Sequence, residues 1–189
     1  MGKGPSGREL NDPGEIRQAL ATARTVAVVG CSPDPSRPSN SIARYLLANG
    51  YRVIPVNPFH REILGQTCYP TLSAIPPEVP IDIVDVFRRS ELVAPVAREA
   101  IARGAGFFFM QLGVLDGEAA SRLEEAGIPV AMDRCILVER EKLTVAAQSR
   151  NEPRKGNVAL LSPGRHDRGQ RRIQSPCRNP PSGLSHFRS

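Results

Sequence analysis

A glycine, an arginine and three consecutive small polar residues stand between an apolar run and an amphipathic one. They are Gly30, Arg37 and Ser39-Asn40-Ser41 in "TVAVVGCSPDPSRPSNSIARYLL". Gly30 permits a tight backbone turn, and Ser39, Asn40 and Ser41 offer backbone N–H groups at a helix start. An anion seated there gains hydrogen bonds and the helix dipole, the latter worth about 1 kcal/mol. Arg37 adds a charge-assisted donor. Cys31, Ser32 and Pro38 complete the loop, which Pro33, Pro35 and Pro38 stiffen. These residues suit a phosphate. They do not make the usual dinucleotide loop, because serines and prolines replace its second and third glycines.

Four further loops carry polar groups at the ends of apolar runs. In Pro55-Val56-Asn57-Pro58 the carboxylate that an NAD site uses for its ribose hydroxyls is missing. Asn57 can hydrogen-bond a sugar or base without repelling phosphate, so a ligand phosphorylated on its ribose fits better than NAD. In "VDVFRR" Arg88 is expected at the cleft, with Val86 or Phe87 against a purine or an apolar chain and Arg89 toward solvent. "MQLGV" offers the amide of Gln111, then Leu112 and the close-approach backbone of Gly113. "MDRC" places Asp133, Arg134 and Cys135 on the same rim, where a helix start would stabilise a thiolate. No loop pairs a histidine with a serine or cysteine, and none carries paired carboxylates, a metal-ligand cluster or a GxxxxGK[ST] motif. The chemistry on offer is binding, and no catalytic or metal-ligating residue is expected.

The elements that position these loops alternate. Asp12-Pro13-Gly14-Glu15 is a capping box with proline at the first helical position, opening a helix to about Thr22. "TVAVVG", "YRVIPV", "IDIVDVF", "GFFFMQL" and "IPVAM" are short apolar runs of the kind buried on both faces of a sheet. Three helices lie between them and a fourth follows: one is capped by Ser39 or Asn40 and stopped by Gly50, and one is capped by Ser90, with Pro95 implying an irregular or late start. A third is capped by Asp116 and stopped by Gly127, and the last is capped by Asp133 and runs to about Leu143. The pattern predicts an α/β fold, a doubly wound parallel sheet of about five strands with right-handed crossovers. The most economical strand order is 3-2-1-4-5, with ligands outside the carboxyl ends of the strands.

The net charge of +6 belongs to one end of the chain. Through residue 145 there are 16 Lys+Arg against 17 Asp+Glu, a net of −1, and beyond it 9 against 2, a net of +7. We therefore divide the chain into a flexible 1–12, a folded 13–145 and a basic Pro/Arg/Ser-rich tail, 146–189, expected to be disordered or even the product of a shifted frame. Nucleic-acid binding would rest on that tail, which lacks aromatic interleaving beyond Phe187, and is not the leading expectation. The absence of an apolar span or signal core points to a cytoplasmic protein without a membrane partner. Four scattered cysteines make no CxxC pair.

Taken in order, "VAVVGCSPDPSRPSNSIARYLLANGYRVIPVNP", "EILGQTCYPTLSAIP", "DIVDVFRR", "MQLGV" and "VAMDRCILVE" resemble the stand-alone CoA-binding domain proteins. Those are similar to the N-terminal CoA-binding domain of the succinyl-CoA synthetase α subunit, and the resemblance covers about residues 13–143. It implies a Rossmann-like fold that binds coenzyme A, with no established catalytic activity for the stand-alone form. By position, Gly30, Cys31, Ser32 and Arg37 to Ser39 would hold the phosphates. Pro55 to Pro58 and Val86 to Arg88 would flank the adenosine, and Gln111 to Gly113 with Asp133 and Cys135 would lie near the pantetheine arm. Nothing after residue 145 resembles the synthetase's phosphohistidine domain, so acyl-CoA ligation is not expected. Free CoA and acyl-CoA both remain open as ligands, as does any protein partner, and an NAD(P)-dependent oxidoreductase is the alternative.

Overall fold

Thr25–Val29 (β1) is buried at every residue, and it is the strand about which the sheet is organised. In a computed structural model that describes residues 10–151, with side chains through Val145, β1 pairs in parallel with Arg52–Val56 (β2) on one side and Ile83–Val86 (β5) on the other. Between β2 and β5 a small antiparallel hairpin, Glu62–Ile63 (β3) with Gln66–Thr67 (β4), lies outside the main sheet. Phe107–Met110 (β6) pairs with β5, and Val130–Ala131 (β7) with β6, giving the order β2-β1-β5-β6-β7.

The α/β parallel architecture is as expected, but the strand order is not. Counting only the five main strands, the order is 2-1-3-4-5 rather than 3-2-1-4-5: the third strand lies beside the first. Pro55 gives a physical reason. Its carbonyl faces away from β1 and accepts Tyr69 N at 3.0 Å, so its missing N–H also faces outward. A proline there suits an edge strand and would break a ladder on the inner side. At the other end, Asp82 accepts both Arg24 N and Thr25 N at 2.8 Å, fastening the entry of β5 to the start of β1. The reversal of winding therefore falls between β1 and β5, and the crevice opens there.

Helices cover both faces. Pro13–Thr22 (α1), Pro38–Ala48 (α2) and Ile136–Asn151 (α5) pack on Val26, Val28, Phe107 and Phe109. Val93–Ala102 (α3) and Gly117–Glu125 (α4) pack on Ala27, Val84, Phe108 and Met110. The run Phe107-Phe108-Phe109 thus serves both layers by strict alternation. No helix among the described residues is long and apolar enough to cross a membrane.

Several helix ends follow the sequence. Asp12 accepts Glu15 N at 2.7 Å with Pro13 in the first turn, and Asp116 accepts Ala119 N at 2.9 Å. Ser90–Leu92 forms a separate 3-10 turn, and α3 begins at Val93, which puts Pro95 where no helical N–H is needed. Two caps differ. Arg37, not Ser39 or Asn40, is the N-cap of α2, because Pro38 pre-sets the first helical residue. Asp133 does not cap α5: it sits at φ 55° and accepts Gly113 N, and the helix starts three residues on at Ile136.

The ends of the folded unit also differ from expectation. α5 continues to Asn151, past residue 145. Residues 10–12 are tied down, with Asn11 N donating to Val130 O at 3.2 Å and Asn11 Oδ1 accepting Met132 N at 2.8 Å. The expectations for residues 1–9 and for the basic tail from residue 152 lie outside the described residues.

Candidate ligand-binding cleft

Gly30 is where three strand ends meet. It sits at φ 83°, its N–H donates to Val56 O at 2.8 Å, and a Cβ added there would lie 3.1 Å from Phe87 O and 3.4 Å from Arg88 Cδ. Only glycine permits this approach of the β1 loop to the ends of β2 and β5. Arg88 is half-buried and lies over it, whereas Arg89 is exposed. Arg88 makes no ion pair among the described residues.

Next to Gly30, on the α3 side, a cleft of about 280 Å³ is lined by Val29, Val56, Pro58, Leu72, Arg88 and Val96, among others. Its walls are mostly apolar, and Arg88 is its one cation. Glu99, at the edge, is committed to Ser73 N at 3.0 Å and Ser73 Oγ at 3.3 Å. A flat aromatic or short apolar group fits such walls, and an anion beside it would find Arg88. Phe59, Leu92, Leu112 and Leu115 stand exposed on the loops at this end of the sheet.

The loop after Gly30 holds itself in shape. Ser32 N donates to Ser39 Oγ at 3.1 Å, Asn40 Nδ2 to Ser32 O at 2.8 Å, Asp34 N to Ser32 Oγ at 3.2 Å and Ser36 N to Asp34 Oδ1 at 2.9 Å. Asn40 is fully buried and its Oδ1 accepts Arg44 Nε at 3.0 Å. The backbone hydrogen bond from Ser36 holds the Asp34 carboxyl below the usual carboxylate range. Arg37 is exposed, 4.0 Å from Asp34 Oδ2. Asn40 N and Ser41 N both turn to Arg37 O, at 3.0 and 3.3 Å. The anion seat is narrower than the sequence suggests, with two of its three N–H groups engaged.

On the α2 and α5 side the residues are more deeply buried. Asn57 latches two loops, donating from Nδ2 to Cys31 O at 2.7 Å and accepting Phe59 N at 3.0 Å. Its amide is therefore engaged in holding the loops. Cys31 has no exposure, and burial, aided by Cys68 and Asp85, pushes its thiol up to about 12. It is a neutral packing group, not a nucleophile. Gln111 is 4% exposed and donates from Nε2 to Asp85 Oδ1 at 2.6 Å. Asp133 Oδ1 accepts Gly113 N at 2.8 Å, tying the β6 loop to the β7 loop, with Cys135 half-buried just beyond. Arg134 turns away toward Glu139 at 3.9 Å.

Gly30, Val56, Pro58, Val86, Phe87 and Arg88 thus gather at the mouth of the crevice. Cys31 and Gln111 are buried beneath the strand ends and do not line the cleft, Asp133 and Cys135 follow β7, and Arg37, Pro38 and Leu112 stand in the open.

Asp85, inside "VDVFRR", is a further residue of interest that loop position alone does not single out. It is fully buried on a central strand, its Oδ2 has no hydrogen-bond partner, and burial pushes its carboxyl up to about 7 against the opposing bond from Gln111. The signal was present in "IVDV": an acid inside a run buried on both faces has nowhere to go but the core.

Residues 24–141 of this chain match the family model described as the CoA binding domain. The chain belongs to that family. YneT of Bacillus subtilis is 42% identical over 124 residues, which is 66% of this chain and 90% of YneT. The acetate–CoA ligase (ADP-forming) I of Archaeoglobus fulgidus is 32% identical over 158 residues, 77% of this chain but only 22% of that enzyme. Among solved structures, a protein of Pyrococcus horikoshii OT3 superposes with a TM-score of 0.67 at 35% identity, covering 76% of this chain and 98% of the other. The CoA-binding domain is thus similar to small proteins along nearly their whole length and to one segment of a much larger ligase.

Proposed function

We propose that this chain binds coenzyme A, free or acylated, in the crevice between the ends of β1 and β5, and acts as a non-catalytic binding module. The observation that carries the reading is the meeting of Gly30, Arg88 and an apolar cleft at the switch point of a chain from a CoA-binding family. CoA needs three things of a site: a close backbone approach and donors for its diphosphate, a cation for its ribose phosphate, and apolar walls for adenine. Gly30, Cys31 and Ser32 with Arg37 to Ser39 supply the first, Gly30 by its close approach and the Ser39 N–H and Arg37 guanidinium as donors; Arg88 supplies the second, and Pro55 to Pro58 with Val86 and Phe87 the third. The pantetheine arm then runs past Gln111, Leu112 and Gly113 to Asp133 and Cys135. The cleft offers donors, a cation and apolar surface, but no nucleophile beside a base. The ligase's activity is not carried over, because this chain corresponds to 22% of that enzyme.

Calorimetric titration with CoA, dephospho-CoA and acetyl-CoA tests the reading. A hydrogen bond to a charged group contributes about 1.5–3 kcal/mol, so dephospho-CoA should bind roughly 10- to 100-fold more weakly than CoA. Saturable binding of NADH or NADPH with no heat from CoA would establish the oxidoreductase alternative instead. A nucleic-acid role of the basic tail would show as salt-sensitive RNA or DNA binding that its removal abolishes.

A further inference from the structure

A fully buried carboxyl on a central strand that receives one hydrogen bond and leaves Oδ2 without any is not there for packing. A leucine at residue 85 would fill similar space without desolvating a polar group. The single bond it does receive points to its use. Gln111 lies one residue beyond the carboxyl end of β6, with its Nε2 drawn inward to Asp85 Oδ1 at 2.6 Å. A primary amide has two faces of opposite character, and a side chain with no anchor can present either one. Asp85 Oδ1 takes the NH2 end at 2.6 Å, which leaves the carbonyl Oε1 as the outward group. That Oε1 receives no donor among the described residues, and it is not sealed from solvent as Asp85 Oδ2 is.

We infer that Asp85 is a positioning residue for the ligand site: it holds the Gln111 amide so that Oε1 faces the crevice and accepts an amide N–H of the pantetheine arm. This rests on the CoA reading and adds to it a specific acceptor and the buried group that orients it. The neighbouring rim is fixed from its other side by the bond from Gly113 N to Asp133 Oδ1, so the strand end bearing Gln111 is held on both sides. Asp85 itself touches no ligand.

The test compares CoA with adenosine 3′,5′-bisphosphate, which carries the nucleotide but no pantetheine arm, by calorimetry on the full chain. Loss of one neutral hydrogen bond corresponds to about a 3- to 10-fold change in affinity. Asp85→Leu and Gln111→Met should each weaken CoA by that factor and leave the bisphosphate within about 2-fold of wild type. Asp85→Asn, whose amide oxygen can still accept Gln111 Nε2, should restore CoA binding to near the wild-type value. Equal losses for both ligands in Asp85→Leu would mark a merely structural role, and undiminished CoA binding by Gln111→Met would overturn the proposal even if Asp85→Leu fails to fold. If wild type binds the bisphosphate as tightly as CoA, the inference falls and the nucleotide part of the function stands. If it binds neither, both fall.

Discussion

Gly30→Ala is the substitution that most directly interrogates the crevice. At φ 83° an alanine enters the left-handed region, at a cost of about 1–2 kcal/mol. Its Cβ would also stand 3.1 Å from Phe87 O and 3.3 Å from Phe87 C, both backbone atoms next to β5. Neither can rotate aside, so the β1 and β5 loops must part by a few tenths of an ångström, adding about 1–2 kcal/mol. Gly50 supplies the control. It has nearly the same angle, 85°, but nothing within 4 Å of an added Cβ, and it lies at the opposite end of the sheet. Thermal unfolding followed by circular dichroism should show Tm falling by roughly 5–15 °C for Gly30→Ala and roughly 2–8 °C for Gly50→Ala. CoA affinity should fall about tenfold or more only in the first, where the phosphate seat is displaced. Equal melting temperatures together with unchanged CoA binding in both variants would refute the claim that Gly30 is required by contact as well as by conformation.

Other outcomes follow from the same geometry. Arg88→Gln should lower CoA affinity about tenfold while leaving dephospho-CoA unchanged, and equal losses for both ligands in calorimetry would remove Arg88 from the ribose phosphate. Asp85 carries its proton up to about pH 7 in the native state against an ordinary value of 3.8, so the folded chain binds the proton more tightly than the unfolded one. Its stabilising effect is complete below the ordinary value and is lost as pH rises through about 7, a change on the order of 4 kcal/mol. Urea unfolding between those limits should therefore show Asp85→Asn gaining stability relative to wild type as pH increases, and parallel curves would refute it. Tyr51 donates to Leu20 O at 2.7 Å and accepts Arg140 Nε at 3.0 Å, linking α1, the start of β2 and α5. Tyr51→Phe should cost about 1–3 kcal/mol in the same assay, with CoA affinity unaffected.

How much of this was legible beforehand depends on the kind of signal. Capping residues with local partners read correctly: Asp12, Asp116 and Gly50 act within their own turns, and the short range of those bonds is why sequence suffices. Asp133 looked equivalent but was drawn off by Gly113, twenty residues earlier, a competition that spacing does not reveal. Asn57 stands where a ribose-binding residue would, yet Cys31 O and Phe59 N take its amide first. Polar side chains in loops are contested, and the nearest backbone group often wins.

The strand order shows the same principle at larger scale, with consequences for the site. Economy of connection favoured placing the third strand beside the second, but Pro55 was already evidence against it, since a strand with a proline inside belongs at an edge. Placing "IDIVDVF" next to β1 instead brings Phe87 and Arg88 against Gly30 and sets Asp85 on the middle strand, within reach of Gln111 just past the end of β6. In the order 3-2-1-4-5, Arg88 would stand two strands from Gly30 and Asp85 would have no glutamine to hold. The arginine that faces the phosphate loop and the acid that orients the amide are therefore both products of one register, β1 against β5, and that register is what the crevice is built on.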